Sequence, residues 1–276
     1  MDNVQSILNN YYNEYDEDGR LEKDKAHSIE FITTTKYIEQ YLNEGDKILE
    51  IGAGTGRYTL YYAKKGFGAG TGRYSVALAE EGFDVTAVEL VKHNLGILKS
   101  KNSSVKAYQG NALKLKRFED NTFDITLSLG PLYHLFTEED VNKAVSEAIR
   151  VTKPGGKIFF AYITNEAVIF NDGLKKGHLK EIEEMCDDNF KVPNIPEEIF
   201  AVRYIKDFNK PMSNYKNIKK LKELATDGIA GGIGAIYVNE LSDEEFKIWI
   251  NYHLATCERE DLMGCSNHIL YIAEKI

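Results

Sequence analysis

Residues Gly52-Ala53-Gly54-Thr55-Gly56 directly follow the apolar run Lys47–Ile51 (KILEI) and lead into a helical stretch, an order suited to holding a nucleotide-like cofactor. Glycine tolerates the tight turn and lets the backbone approach a ligand closely, while the next helix presents unpaired N–H groups. Such a turn by itself says little. Its chemical partner is a carboxylate ending the second strand, where it can accept hydrogen bonds from both hydroxyls of a ribose. Glu89, which closes DVTAVE (Asp84–Glu89), occupies that position.

The turn is written twice. Gly52–Phe67 reads GAGTGRYTLYYAKKGF and Gly68–Phe83 reads GAGTGRYSVALAEEGF, with the first seven residues identical. Solenoids need about three stacked units, so a local tandem duplication is the simpler account. The two copies satisfy different rules. Gly68 precedes Glu89 by 21 positions, close to the usual spacing of about 20, whereas Gly52 precedes it by 37. Yet the first copy follows KILEI, and the second follows AKKGF, whose lysines are costly in a strand buried on both faces. The first copy is therefore expected to form the site, with Tyr58–Lys65 or Ser75–Glu81 as the packed helix and the other as surplus structure. Arg57 and Arg73 stand where a nicotinamide-dependent oxidoreductase needs Gly or Ala for close helix packing, which argues for a different cofactor.

The elements that must position these residues alternate along the chain. Lys47–Ile51, Asp84–Glu89, Ser104–Tyr108, Phe123–Leu129 and Lys157–Ile163 are short apolar or alternating runs, read as strands. Helical stretches separate them, among them Glu138–Val151, which stops before Lys153-Pro154-Gly155-Gly156. The alternation argues for an α/β fold of βαβ units: a Rossmann-like, doubly wound, mostly parallel sheet with helices on both faces. Upstream, AHSIEFITTTKYIEQYL carries apolar residues at helical spacing before the turn NEGD. A single domain is expected, with residues 1–44 as an N-terminal helical cap and 45–163 as the cofactor-binding half. Beyond Ile163 we expect helices within 165–192, another helix opening over 196–209, a strand at Lys220–Ala225, a helix at Asp243–Leu254 and a final strand at His268–Ala273. Segments 164–195 and 227–266 are candidate helical lids over a substrate, and 196–226 and 267–276 complete the core.

Composition narrows the partners. A chain of 276 residues, 43% hydrophobic, can bury one large core. No apolar run approaches the roughly 20 residues that span a bilayer, and MDNVQSILNNYYNEYDEDGR has no signal-peptide core, so a cytoplasmic protein without membrane contact is expected. The net charge of -9 and pI near 5.3 work against broad nucleic-acid binding, and the basic run KNIKKLK from Lys216 reads first as a solvated edge. Cys186, Cys257 and Cys265 lack CxxC spacing, and His253 and His268 lack a paired ligand spacing, so neither a disulfide framework nor a metal is expected.

In order and spacing, these motifs resemble the class I S-adenosylmethionine-dependent methyltransferases over roughly Gly45–Ile163. ILEIGAGTGR resembles the first motif of that family, with Glu50 before the glycines and Glu89 in the ribose position. GNAL, Gly110–Leu113, resembles the third-strand motif beside the adenine, with Asn111 in place of the more usual Asp; an amide can still donate and accept. FDITLSLGPLYHL resembles the fourth-strand motif, and TKPGG is similar to the family's approach to the fifth strand. The resemblance implies a seven-stranded sheet and S-adenosyl-L-methionine as cofactor, bound by Glu50, Gly52, Ala53, Gly54, Thr55, Gly56, Glu89, Leu90, Asn111, Ala112 and Leu129. It further implies methyl transfer to a small-molecule acceptor with release of S-adenosylhomocysteine.

Alternatives stand beside that reading: an RNA or protein methyltransferase, marked by a basic groove at Lys216, Lys219 and Lys220, or a cofactor-binding protein whose duplicated motif costs it transferase activity. The absence of NPPY or DPPY argues against a DNA base as substrate. In-line displacement at a sulfonium asks mainly for positioning and exclusion of water. A base, where one is used, belongs near the end of the fourth strand, where His134 could take a proton near neutral pH or simply hydrogen-bond its loop. Tyr133 reads as a pocket wall. Tyr11, Tyr15 and Arg20 are in reach of the cofactor if the N-terminal segment folds over it, and otherwise pack as a surface helix. CEREDLMGCSNH places Glu258, Arg259, Asn267 and His268 at a substrate entrance or on a solvent-facing loop.

Overall fold

The computed structural model describes residues 2–14, 19–64, 83–101 and 104–276. Its strands are β1 (Lys47–Ile51), β2 (Asp84–Glu89), β3 (Lys106–Gln109), β4 (Phe123–Ser128), β5 (Thr152–Thr164), β6 (Val202–Arg203), β7 (Ile218–Ala225) and β8 (His268–Lys275). They form one sheet in the order β3-β2-β1-β4-β5-β8-β7, with β6 pairing β5 off that path. Strands β1 to β5 are parallel, and β8 runs antiparallel between β5 and β7. The order reverses between β1 and β4, which opens a crevice at the carboxyl ends of those strands.

Side-chain alternation splits the core into two layers. Leu49, Ile51, Val88, Phe160 and Tyr162 pack on one face, with Val141, Val145 and Ala148 of the helix above them. Ile48, Val85, Ile125, Leu127 and Phe159 pack on the other, against Phe31, Ile38, Tyr58 and Tyr62. The helices are α1 (Asp2–Glu14), α2 (Lys25–Ile38), α3 (Arg57–Lys64), α4 (Lys92–Ser100) and α5 (Glu138–Val151), then α6 (Asn165–Val168), which runs into a π-helical turn at Ile169–Lys175. They continue with α7 (Leu179–Met185), α8 (Ile205–Met212), α9 (Ala235–Glu240), α10 (Asp243–Thr256) and α11 (Glu260–Met263). Helix α5 shows why the local sequence suffices: Thr137 caps it by accepting from the Asp140 N–H at 3.2 Å, and Val141, Ala144, Val145, Ala148 and Ile149 form its buried stripe. Asp24 caps α2 in the same way, accepting from the His27 N–H at 2.9 Å.

Two expectations need correction. The sheet has one more strand than the seven expected, because β6 adds a short parallel ladder to the end of β5. It lies within 196–209, which is therefore not one helix; a 3-10 turn at Pro196–Glu198 and β6 precede α8. Tertiary hydrogen bonds hold it extended: Asn194 clamps Val202 through both its N–H (2.7 Å) and its carbonyl (3.1 Å). The Arg203 guanidinium donates to the carbonyls of Leu132 (3.1 Å) and Leu135 (2.8 Å). The second copy of the repeat from Gly68 to Glu81, with its candidate helix Ser75–Glu81, and Tyr15 lie outside the described residues. Among the described residues, no helix is long and apolar enough to cross a membrane.

Candidate functional site

The first GAGTG forms the turn from β1 into α3 at the reversal of strand order. Its glycines are required by geometry, since Gly52, Gly54 and Gly56 have φ of +70°, +54° and +92°. A Cβ on Gly52 would lie 2.8 Å from the Pro131 ring, and one on Gly56 would lie 2.3 Å from Leu98 Cδ1. The turn is tied to β2 by the N–H groups of Gly52 and Ala53, which both donate to the Val88 carbonyl at 2.8 and 3.1 Å. Arg57 opens α3 with its guanidinium 4.3 Å above the Phe31 ring and an ion pair to Glu22.

Glu89 is fastened by the same turn. One carboxylate oxygen accepts from the Gly54 N–H and the other from the Val91 N–H, each at 2.7 Å. These two backbone donors fix the carboxylate in the wall of the cavity it lines. That cavity, about 490 Å³, has Gly52, Gly54, Glu89 and Leu90 on one side, Gly110–Leu113 on another, and Gly130–Pro131 at the end of β4. Asn111 and Ala112 lie together there, and the Asn111 side-chain oxygen accepts from the Leu113 N–H at 2.9 Å. Helix α1 covers the cavity with Val4, Gln5, Leu8 and Tyr12.

A smaller cleft beside it brings Glu50, Ala53, Thr55 and Leu129 together with Arg20 and Tyr133. Glu50 is 3% exposed and accepts from the Thr59 hydroxyl. Burial pushes its pKa up to about 8, against the lowering by Thr59, and the neighbouring Glu89 charge adds to the rise.

His134 lies in the wall of the larger cavity with both ring nitrogens engaged. Nδ1 donates to the Ile199 carbonyl (2.9 Å), and Nε2 accepts from the Tyr12 hydroxyl (3.0 Å). Burial pushes its pKa down to about 4. A neutral ring so placed ties α1 to the loop before β6 and is poorly matched to taking a proton near neutral pH.

A second cavity of about 460 Å³ adjoins the first, and Tyr12 and Tyr133 line both. Tyr11, Phe200, Asn171, Asn267 and His268 face it, with Glu30 and Asp227. Asn267 and His268 thus sit at a cavity, whereas Glu258 and Arg259 do not line it: Glu258 accepts from Tyr37 (2.7 Å) and Lys222 (2.6 Å), and Arg259 pairs with Asp261. Arg20 also lines it, donating to Glu30 at 2.8 and 3.3 Å. Glu30 and Asp227 went unrecognised in the sequence, where a lone acid in a helix and another in a loop carry no spacing signal. Of the basic run, Lys220 is spent on Glu223 at 2.7 Å.

An open, mostly parallel sheet whose order reverses beside a glycine turn, with an acid ending the adjacent strand, defines a Rossmann-like cofactor-binding protein. A methyltransferase-domain family model matches residues 66–160. The chain is 37% identical over 118 residues to a demethylmenaquinone methyltransferase of Renibacterium salmoninarum, spanning 42% of this chain and 41% of that protein. It is 30% identical over 193 residues to an uncharacterized methyltransferase of Schizosaccharomyces pombe, spanning 65% of this chain and 69% of the relative. A solved S-adenosylmethionine-dependent methyltransferase of Thermotoga maritima superimposes with a TM-score of 0.55 at 18% identity, covering 99% of both chains. The chain belongs to the methyltransferase family. The matched span 66–160 contains the second glycine copy and not the first, although the first makes the turn beside Glu89.

Proposed function

We propose that the protein transfers the methyl group of S-adenosyl-L-methionine to a small-molecule acceptor and releases S-adenosylhomocysteine. The observation that carries this reading is Glu89, held by the Gly54 and Val91 N–H groups in the wall of the cavity beside the glycine turn. The residues present fit an adenosyl group: Glu89 suits the ribose hydroxyls, Leu90, Asn111 and Ala112 the adenine, and Gly52, Ala53, Gly54, Thr55 and Gly56 a close backbone approach. Glu50 and Leu129 line the adjoining cleft, where the amino-acid end of the cofactor would be held. A sulfonium supplies an activated methyl group that a nucleophile displaces in line, so the protein's own contribution is chiefly to position the acceptor and exclude water. Helix α1 serves the second task from above, with Leu8 buried at 5% exposure and Tyr12 anchored on His134.

The adjoining 460 Å³ cavity supports a small acceptor. The relatives include demethylmenaquinone methyltransferases, named for an organic acceptor rather than a macromolecule, which supports that reading. Isothermal titration with S-adenosylhomocysteine tests the reading. Binding is expected in the wild type, and Glu89→Ala is expected to weaken it by roughly 100-fold, the loss of two charge-assisted hydrogen bonds at about 1.5 kcal/mol each. No heat of binding in the wild type, or an unchanged affinity in the variant, refutes it.

A further inference from the structure

His268 opens β8 beside the end of β5, pairing with Ile163, so it stands at the same carboxyl edge of the sheet as Glu89 and Leu129. Its Nδ1 lies 2.7 Å from Asp227 Oδ2 and 3.7 Å from Glu30 Oε2. A carboxylate accepts only, so Nδ1 carries the proton and Nε2 is left with its lone pair. Among the described residues Nε2 has no protein partner, and the ring lines the 460 Å³ cavity. Asp227 is itself fixed, since Oδ1 accepts from the Ser266 hydroxyl and from the N–H groups of Asn267 (3.0 Å) and His268 (3.2 Å).

Glu30, Asp227 and His268 also bring three metal-ligating groups within 4.8 Å of one another. The cation position is already served, because the Arg20 guanidinium donates to both Glu30 oxygens. The cluster's charges point instead to a proton. Glu30 and Asp227 both lie against the imidazole, with Arg20 and His27 also near Glu30, so the carboxylates favour a proton taken up at Nε2. Burial opposes charge on the ring, but Glu30 and Asp227 outweigh it even against Arg20, and the imidazole holds a proton more tightly than a free histidine. Tyr133 packs beside it, ring centroids 6.3 Å apart, and also faces the cofactor cavity.

We propose that His268, oriented by Asp227, is the general base for a phenol-type acceptor whose ring lies against Tyr11, Tyr133 and Phe200 in the 460 Å³ cavity. This rests on the methyl-transfer reading above. The acceptor's O–H bond breaks and its proton passes to Nε2. The oxygen's electron pair forms the new C–O bond to the methyl carbon, while the S–CH3 pair stays on sulfur and the sulfonium becomes a neutral thioether. An amine that already carries a free lone pair needs no such base, and the carboxylates that would attract its ammonium form are committed to Arg20, Ser266 and His268.

The probe is 4-nitrophenol, whose phenolate absorbs in the visible, titrated into protein with and without S-adenosylhomocysteine. The wild type is expected to bind it and to lower its apparent pKa by about one unit, tenfold more phenolate at a given pH. His268→Gln is expected to bind it within about threefold of wild type but without that shift, and Asp227→Asn to shift it less. Equal ionisation in His268→Gln, or no binding by the wild type, overturns the proposal. Ring ¹⁵N spectra of the wild type, taken above the pH at which the ring titrates, need no variant: a neutral Nδ1–H tautomer is expected, and an Nε2–H tautomer overturns it. A missing S-adenosylhomocysteine heat sinks the methyl-transfer reading separately, since the probe and the ring spectra still judge the dyad without it.

Discussion

Gly54→Val is expected to weaken S-adenosylmethionine binding by at least about 100-fold, whereas Gly70→Val leaves it within about threefold of wild type. Gly54 sits at φ +54°, where a β-branched residue is strained, and its N–H is one of the two donors that hold Glu89. It also lines both the 490 Å³ cavity and the cleft beside Glu50, so a valine side chain takes space from the ligand. Gly70 occupies the same place in the repeated motif, but the turn after β1 is already made by Gly52–Gly56. A companion experiment removes residues 68–83, which leaves Phe67 directly before Asp84 and brings Gly52 to 21 positions before Glu89. That deletion is expected to keep calorimetric binding within about threefold, because β1, the turn, α3 and β2 are all retained. If Gly70→Val abolishes binding while Gly54→Val preserves it, the second copy is the functional one.

Glu50→Gln is expected to stabilise the protein at pH 7 by about 2–3 kcal/mol, at about 1.4 kcal/mol per pH unit of displaced titration. Glu50 titrates near 8 in the folded protein against an ordinary value of 4.5, first because it is buried and then because Glu89 is charged nearby. Between those values the unfolded chain has released the proton while the folded protein still binds it. Stability from this group is therefore fully present below about 4.5 and declines as pH rises toward 8. Glutamine keeps an acceptor for Thr59 and has nothing to titrate. Urea unfolding across this pH range should show a shallower decline in the variant than in the wild type; parallel curves would exclude Glu50 as the cause. Glu30 works in the opposite sense, since despite its burial Arg20 and His268 hold it down at about 2, so the comparison must be made within one variant pair.

Much of the cofactor half is legible in the sequence, because its signals are local. β1, β2 and α5 have the boundaries that KILEI, DVTAVE and EEDVNKAVSEAIRV announce. Period-two burial writes strands as apolar runs, and an apolar stripe behind a capping threonine writes a helix. Glu89 could be singled out because a parallel crossover puts the end of the second strand beside the first turn. The family resemblance assigns Asn111, Ala112, Leu90 and Leu129 to the same site, and they face the same cavity or its adjoining cleft.

What remained illegible depends on groups distant in the chain. β6 is extended because Asn194 and Arg203 bond across loops, so its two residues carry no periodic signal. His134, which lies near the end of β4 where a base was expected, has its ring nitrogens taken by Tyr12 and the Ile199 carbonyl, neither a sequence neighbour. Glu30, Asp227 and His268 meet only because α2, the loop after β7 and the start of β8 converge at one sheet edge. The sequence by itself determined the class of cofactor turn and the acid that completes it, since both follow from strand order and backbone conformation. Tertiary structure adds what seven identical residues cannot specify: in the first GAGTGRY, which the sequence already favoured for its attachment to KILEI, the Gly54 N–H bonds the Glu89 carboxylate across the crossover.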